Sequence, residues 1–347
     1  MPDDRVIAAA QALWRAHGAP AGAIRVMPCT AGGNSRVLIL EAGGERVVAK
    51  GYFRDAPDGR KRLDAERAFL EYAQRIGIAC VPRPIAADEA ELVALHGFVS
   101  GRPLAPAEIT RLPVLAAADF IVALNRPDHA ALARGLPDAA EAAFSISGHF
   151  AVVERRLARL DAIPADDGTD RAAGAFVVRL RDFWARARGR IAAGAARENL
   201  NPDAELSDDL RLISPSDFGF HNALAAPDGS LTFVDFEYAG RDDISKLVSD
   251  FFFQPKVPVP GDLFLPFAER ICVGTGRDFP NSLRWIGLLR PVFGVKWCCI
   301  LLNCFLPQMM ARRRFVHPAC GADDPKRIQL EKAETALRKL EDMPWPI

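Results

Sequence analysis

Between residues 214 and 240 the chain sets Asp217, Asn222 and Asp235 in a spacing that leaves little structural freedom. Ser214-Pro215-Ser216-Asp217-Phe218-Gly219-Phe220-His221-Asn222 comes first, and Phe233-Val234-Asp235-Phe236-Glu237 follows. A short apolar run over 222–226 leads into Pro227-Asp228-Gly229-Ser230, whose residues favour a tight turn. A second β-type run, 231–234, then delivers Asp235. Such a hairpin returns the chain to where it began, so Asn222 and Asp235 are expected close together beside Asp217. Two carboxylates and a carboxamide at one end of a ribbon form a hard-oxygen set suited to Mg2+. The D-x-x-x-x-N spacing is that of a phosphoryl-transfer loop, in which the Asp takes the acceptor hydroxyl's proton and the Asn holds a metal.

These residues resemble the catalytic core of the aminoglycoside phosphotransferase/choline kinase family, the small-molecule branch of the protein-kinase-like fold. The family pattern is H-G-D-x-x-x-x-N followed by a strand with D-[FW]-[DE]. Asp217, Asn222 and Asp235-Phe236-Glu237 match it, whereas the family's His, usually structural, falls on Pro215. The resemblance implies an α+β, two-lobe protein-kinase-like fold. A small N-terminal nucleotide-binding lobe with an antiparallel sheet and a helix would cover 1–97, a linker 98–104, and a larger, mainly helical catalytic and acceptor-binding lobe 105–347. It further implies that Asp217 is catalytic and that Asn222 and Asp235 hold Mg2+, with Glu237 assisting at a second metal. Glu237 also has a plainer reading as a strand residue facing solvent. ATP is the implied phosphoryl donor, with GTP left open. Downstream, the family often carries an Asp eight residues after the metal-binding one, met here by Asp243. It often has another four further on, where this chain has Leu247, and Asp250 comes later.

Upstream, Asp3 or Asp4 can cap a helix running to about Ala16, with Val6, Ile7, Ala10, Leu13 and Trp14 on one face. Three β-type runs follow at 24–29, 35–41 and 46–51, the last two joined by Gly43-Gly44, a hairpin signal. Between the first two lies Thr30-Ala31-Gly32-Gly33-Asn34-Ser35. A glycine pair there lets backbone N–H groups approach phosphate oxygens, although such a hairpin alone is more often only a turn. A helix over about 59–76 puts Leu63, Glu66, Phe69, Leu70, Ala73 and Ile76 on one face. Glu66 is the odd member, because a buried carboxylate is costly unless it is paired. Lys50 is its natural partner; the alternative pairs it with Arg62 or Arg67. Within the resemblance, Gly32, Gly33, Asn34 and Ser35 form the nucleotide turn, and Lys50 meets the α- and β-phosphates while Glu66 holds it there. Strand runs at 84–87 and 91–99 lead into Phe98-Val99-Ser100-Gly101-Arg102-Pro103-Leu104, similar to the family's linker, E-[FY]-[IVL]-x-G-x-x-L. That places the adenine near His96, Gly97 and Phe98; on its own, His96 reads as a solvated or satisfied strand residue.

From residue 105 the patterns are mainly helical, at about 106–124, 148–160, 171–196, 262–272, 279–306 and 325–340, with a polar loop over 161–170. Arginines are frequent on the 171–196 helix, and a charged face of that kind is ordinarily solvated. At 347 residues the chain is long for one core and suits two unequal lobes. Lys plus Arg and Asp plus Glu each number 44, so the neutral balance argues neither for nucleic acid nor for a membrane-surface role. Seven scattered cysteines without a C-x-x-C pair lead us to expect reduced thiols and a cytoplasmic protein. The acidic start lacks the regions of a signal peptide. The apolar stretch 285–306 is interrupted by Arg290, Pro291 and Lys296, so a buried helix rather than a bilayer span is expected.

The reading that follows is an ATP- and Mg2+-dependent phosphotransferase acting on a hydroxyl of a small molecule: a sugar, an amino alcohol or an aminoglycoside-like compound. One alternative is a catalytically weak, kinase-like nucleotide-binding protein, to which only Pro215 points. Another is a metal-dependent hydrolase, which would not need the glycine turn, Lys50 and Glu66 in that order. The acidic residues Asp203, Glu205, Asp208, Asp209, Asp242 and Asp243 could serve a polycation, but arginines flank them. A sugar or other metabolite hydroxyl is therefore favoured over an antibiotic. Oligomeric state is not readable from the sequence.

Overall fold

The computed structural model of the chain describes residues 2–29, 35–53, 62–307, 309 and 325–343. Helix α1 (Pro2–Ala16) ends before Gly18, whose φ is +95°. A five-stranded antiparallel sheet follows, built from β1 (Arg25–Pro28), β2 (Ser35–Ala42), β3 (Glu45–Tyr52), β4 (Pro84–Asp88) and β5 (Val93–Gly97) in the order β1-β2-β3-β5-β4. Gly43 and Gly44 both take positive φ, +56° and +82°, as the tight turn between β2 and β3 requires. Period-two alternation then sorts the side chains. Leu38, Leu40, Val47, Ala49, Val93 and Leu95 pack with Ala10 and Trp14 of α1. The opposite face carries Lys50, Tyr52, Ala94 and His96; Lys50 lies across from Ala94, and Val48 from His96. On that face Tyr52 and Ala94 pack with Leu63 of α2 (Arg62–Arg75). Of the stripe expected for α2, Leu63, Glu66, Phe69, Leu70 and Ala73 are buried, whereas Ile76 follows the helix end and is only half-buried.

After β5 come β6 (Arg102–Pro103) and, much later, β8 (Ala223–Ala225) and β9 (Leu231–Phe233), which form a three-stranded sheet in the order β6-β8-β9. The turn between β8 and β9 closes with Ala226 N–H donating to Ser230 O at 2.9 Å, and Gly229 has φ +84°. Gly101 lets β6 approach β8 closely, since a Cβ would stand 3.0 Å from Leu224 Cβ and 3.1 Å from Ala225 O. The chain forms two compact units. One holds the described residues of Met1–Leu104 with Asn222–Ala239; the other holds those of Ala105–His221, Gly240–Met310 and Ala322–Ile347. Where a lobe over 105–347 was expected, the ribbon from Asn222 to Ala239 thus groups with the N-terminal sheet. Its pairing with β6 and the stacking of Phe236 on Phe69 of α2, centroids 4.3 Å apart, account for this.

The second unit is helical: α3 (Arg111–Leu124), the single turn α4 (Ala130–Ala133), α5 (Ile146–Arg159), α6 (Gly168–Arg197), α7 (Ile244–Phe253), α8 (Phe264–Gly274), α9 (Phe279–Leu301) and α10 (Pro325–Glu341). The first of these starts later than the expected 106, after a separate 3-10 turn at Pro106–Glu108. Pro113 lacks an N–H and is best accommodated in the first turn of a helix, which suits a start at Arg111. Ser145 and Asp167 cap α5 and α6 through bonds to Gly148 N (3.1 Å) and Asp170 N (2.8 Å). Helix α9 and its 3-10 extension to Phe305 are long and apolar enough to cross a membrane by length and composition; of its most apolar 18 residues, 72% are buried inside the protein. Its contacts are with α5, α6, α7, α8 and α10, and Phe150, Phe176, Trp184, Phe293 and Leu337 share one core. Two short strands, β7 (Leu212–Ser214) and β10 (Gly240–Asp242), pair antiparallel, with Ser214 opposite Gly240.

Gly240 admits no side chain, because a Cβ would fall 2.3 Å from Pro137 O and 2.6 Å from Ala139 N, both backbone atoms. Gly240→Ala is expected to lower stability by about 1–3 kcal/mol, the usual cost of overpacking, visible as a shifted denaturant midpoint.

Candidate active site

In the first unit the site grows from Lys50 on β3. Its Nζ lies 2.6 Å from Glu66 Oε2, forms an ion pair with Asp235, and stands 3.5 Å from Glu237 Oε2. The pairing of Lys50 with Glu66 is thus present, while Arg67 turns to Glu89 and Asp64. Glu66 is shared further: Tyr52 OH donates to Oε2 at 2.7 Å, and Phe236 N–H to Oε1 at 3.2 Å. Through that last bond, α2 fixes the Asp235-Phe236-Glu237 segment as well as the lysine.

Electrostatics follow from burial and from the three carboxylates. Burial works against the Lys50 ammonium, but Asp235, Glu66 and Glu237 outweigh it and hold the group well above the ordinary lysine range. Burial would raise Glu66, yet Lys50 keeps it below the usual carboxylate value. Glu237 goes the other way: burial pushes it up to about 7, against the pull of Lys50. It is not the solvent-facing strand residue of the plainer reading, because its side chain is 0% exposed. Ser35 Oγ donates to it, and Arg62 Nη1 stands 3.6 Å from Oε1. The side chain of Asp235, 20% exposed, is the most accessible of the three carboxylates. Its backbone is left-handed, with φ +70°, a conformation costly for a residue bearing Cβ. β9 has already ended at Phe233, so this turn, rather than strand parity, aims Asp235 and Glu237.

Asn222 is 9% exposed and precedes β8; its carbonyl accepts from Val234 N–H at 2.9 Å, so the expected hairpin brings 222 and 234 together. Ser35 opens β2, whereas Gly32, Gly33 and Asn34 lie outside the described residues. The Phe98 ring faces the Arg46 guanidinium, 3.9 Å from its centroid, just past β5. Gly97 N–H is engaged by Arg83 O at 2.8 Å. His96 is neither solvated nor satisfied. It is 6% exposed, both ring nitrogens lack a hydrogen-bond partner among the described residues, and burial lowers its pKa.

In the second unit, Asp217 Oδ1 accepts from His221 Nε2 at 3.2 Å, and its side chain is 23% exposed. Burial would raise this carboxyl; the hydrogen bond and charge of His221, helped by Lys256 and Lys296, bring it down to about 2. The loop is pinned by its aromatic residues: Phe218 and Phe220 lie 5.1 and 5.4 Å from the Phe251 ring on α7. Gly219 leaves room for the loop to close, since a Cβ would stand 2.8 Å from His221 Nδ1. Asp243 caps α7 through Ser245 N–H (2.7 Å) and accepts from His149 Nε2 (2.8 Å) and Trp285 Nε1 (3.0 Å). Sequence reasoning missed Tyr52 and His221, although period two from Lys50 and an i,i+4 step from Asp217 point to them.

Among the described residues no group of three or more His, Cys, Asp or Glu side chains is arranged to hold a metal ion. Mg2+ in phosphoryl-transfer sites keeps waters and phosphate oxygens and takes only one or two protein carboxylates, so a preformed cage is not required. The accessible oxygen of Asp235 and the amide oxygen of Asn222 are donors of the right chemistry for such an ion.

No family model matches the chain, and no curated protein matches its sequence. Solved structures do match it. An ethanolamine kinase of Plasmodium vivax is similar with a TM-score of 0.60 and 12% identity, over 95% of this chain and 85% of that one. A choline/ethanolamine kinase family protein of Mesorhizobium loti has a TM-score of 0.59 and 15% identity, over 99% and 96%. A spectinomycin phosphotransferase solved with ADP and spectinomycin has a TM-score of 0.51 and 13% identity, over 91% and 95%. At such identities the likeness shows the fold: α+β, two-lobed and protein-kinase-like, as in these small-molecule kinases.

Removing the ammonium leaves buried carboxylates facing one another. Lys50→Met is expected to destabilise the first unit by about 3–5 kcal/mol at neutral pH. Without Lys50, burial raises the folded-state pKa of Glu66 above its unfolded value, so the lost stability returns as pH falls below the ordinary carboxylate range. Melting curves of both proteins across that range check the sign.

Proposed function

We propose that this protein is an ATP- and Mg2+-dependent phosphotransferase that moves a γ-phosphoryl group to the hydroxyl of a small molecule. The observation that carries the reading is Lys50, a buried lysine kept charged by Glu66 and Asp235, in a chain whose fold is that of small-molecule kinases. A triphosphate brings several negative charges, and an ammonium that cannot easily deprotonate is the group needed to face them. Glu66 and Tyr52 fix where that ammonium points. Asp235 and Asn222 would hold Mg2+, with Glu237 behind them. Bound there, the ion would neutralise charge on the phosphate oxygens. Gly32, Gly33, Asn34 and Ser35 would lie along the phosphates, and the segment around Phe98 along the base.

Asp217 orients the acceptor hydroxyl and receives its proton. A carboxylate held at about 2 is a weak base. Its contribution is therefore chiefly alignment, which suits a loose transition state whose hydroxyl loses its proton late. His221 keeps one oxygen occupied, which orients the other. The neutral charge balance favours a sugar or other uncharged hydroxyl over a polycationic antibiotic.

ADP release measured against aminoglycosides, choline, ethanolamine and free sugars tests the activity and its acceptor together. Asp217→Ala is expected to lower kcat by roughly 10²–10⁴ on whichever acceptor responds, the usual worth of a positioned acid–base group. Wild-type turnover in that variant contradicts the assignment.

A further inference from the structure

The loop that carries Asp217 departs from the family pattern where that pattern is most regular. Pro215 stands at the His, Ser216 at the Gly, and Leu247 at the Asp that follows Asp243 by four. The local backbone is strained. Asp217 N–H donates to Pro215 O at 2.9 Å across Ser216, whose φ is +67°. A three-residue turn with positive φ at its centre is rare, and it costs more for a residue bearing Cβ than for glycine. Such a conformation persists only where its surroundings over-determine it.

Here those surroundings are specific. Ser216 N–H donates to Ser214 Oγ at 2.9 Å, and Ser216 Oγ donates to Ala140 O at 3.4 Å. The same Oγ accepts from Lys246 Nζ at 2.7 Å. Lys246 lies on α7, is 2% exposed, and also meets Asp242 Oδ2 at 2.6 Å. Asp250, 3.8 Å from the same Nζ, is held in turn by Lys296 and by Trp297 Nε1 of α9. Burial disfavours the Lys246 ammonium, but Asp242 and Asp250 outweigh it, so the side chain stays a cation. Burying a cation is expensive, and α7 does not need it for a cap, because Asp243 supplies one. What Lys246 adds beyond its ion pairs is the bond to Ser216.

We infer that Lys246 is a positioning residue for Asp217. Through Ser216 Oγ it clamps the strained turn that sets the direction of the next residue, in a loop that has Pro215 in place of the family's His. The inference rests on the proposed activity only in taking Asp217 as its catalytic group.

Ser216→Gly is the decisive variant. Glycine is at ease at positive φ, so the fold and the Lys246 ion pairs remain, while the acceptor for Lys246 is removed. The melting temperature should be unchanged or higher. Residue-resolved hydrogen exchange at the Asp217 amide should quicken about tenfold, the worth of one charge-assisted hydrogen bond. With the acceptor found in the panel assay, kcat should fall about tenfold while KM for Mg·ATP stays within about twofold. Lys246→Met should reproduce both effects and Lys246→Arg should restore part of them; if Lys246→Met does not fold, Ser216→Gly carries the test. Wild-type exchange in Ser216→Gly, or wild-type kcat in that variant of an active enzyme, overturns the inference. A wild-type protein without phosphotransfer counts against the proposed activity instead, and the exchange comparison then decides the positioning claim by itself.

Discussion

One ammonium among three carboxylates organises the first unit. Lys50 comes from β3, Glu66 from α2, and Asp235 and Glu237 from the ribbon after β9, so a single charge cluster ties together segments far apart in sequence. Groups like these are buried at a loss unless every charge has a partner, and replacing them with apolar side chains would often be as stable. Their presence therefore points to use rather than to folding. The most accessible carboxylate, Asp235, is also the one held in a left-handed backbone conformation, which adds local strain where chemistry is expected. Under the proposed activity, Lys50 and Asp235 partner each other until a triphosphate and its ion offer each a better match.

The second unit treats Asp217 in a comparable way, with different parts. Phe218 and Phe220 anchor the loop in the aromatic core, His221 fixes one carboxylate oxygen, and the Lys246–Asp242–Asp250 network braces the turn in front of it. Apolar contacts supply most of the hold and polar contacts supply direction. That division lets the loop keep its geometry with Pro215 where the family pattern has His.

Much of this is legible in the amino-acid sequence. The Gly43-Gly44 turn, the apolar stripe of α2 and the hairpin from Asn222 to Asp235 follow from local chemistry, and each is present. A lone carboxylate on an apolar stripe is costly enough to demand a partner, which is why Lys50 and Glu66 could be paired across sixteen residues. Other features were hidden for physical reasons. The plainer of the two readings of Glu237, a strand residue facing water, fails because the left-handed step at Asp235, which breaks strand parity, leaves no mark in the residue type. Lys246 and Ser216 are thirty positions apart, and nothing in an amphipathic pattern tells a buried lysine from a solvated one. His96, buried without a hydrogen-bond partner among the described residues, could not be distinguished from an ordinary strand histidine.

The central claim is that the Lys50 cluster receives a nucleotide's phosphates with Asp235 as the metal's protein ligand. The most direct measurement is calorimetric titration of a non-hydrolysable ATP analogue, with and without Mg2+, into the wild-type protein and Asp235→Ala. The account predicts binding that strengthens with Mg2+ in the wild type and loses that dependence in the variant. Equal affinity in both proteins, with or without the ion, would contradict it.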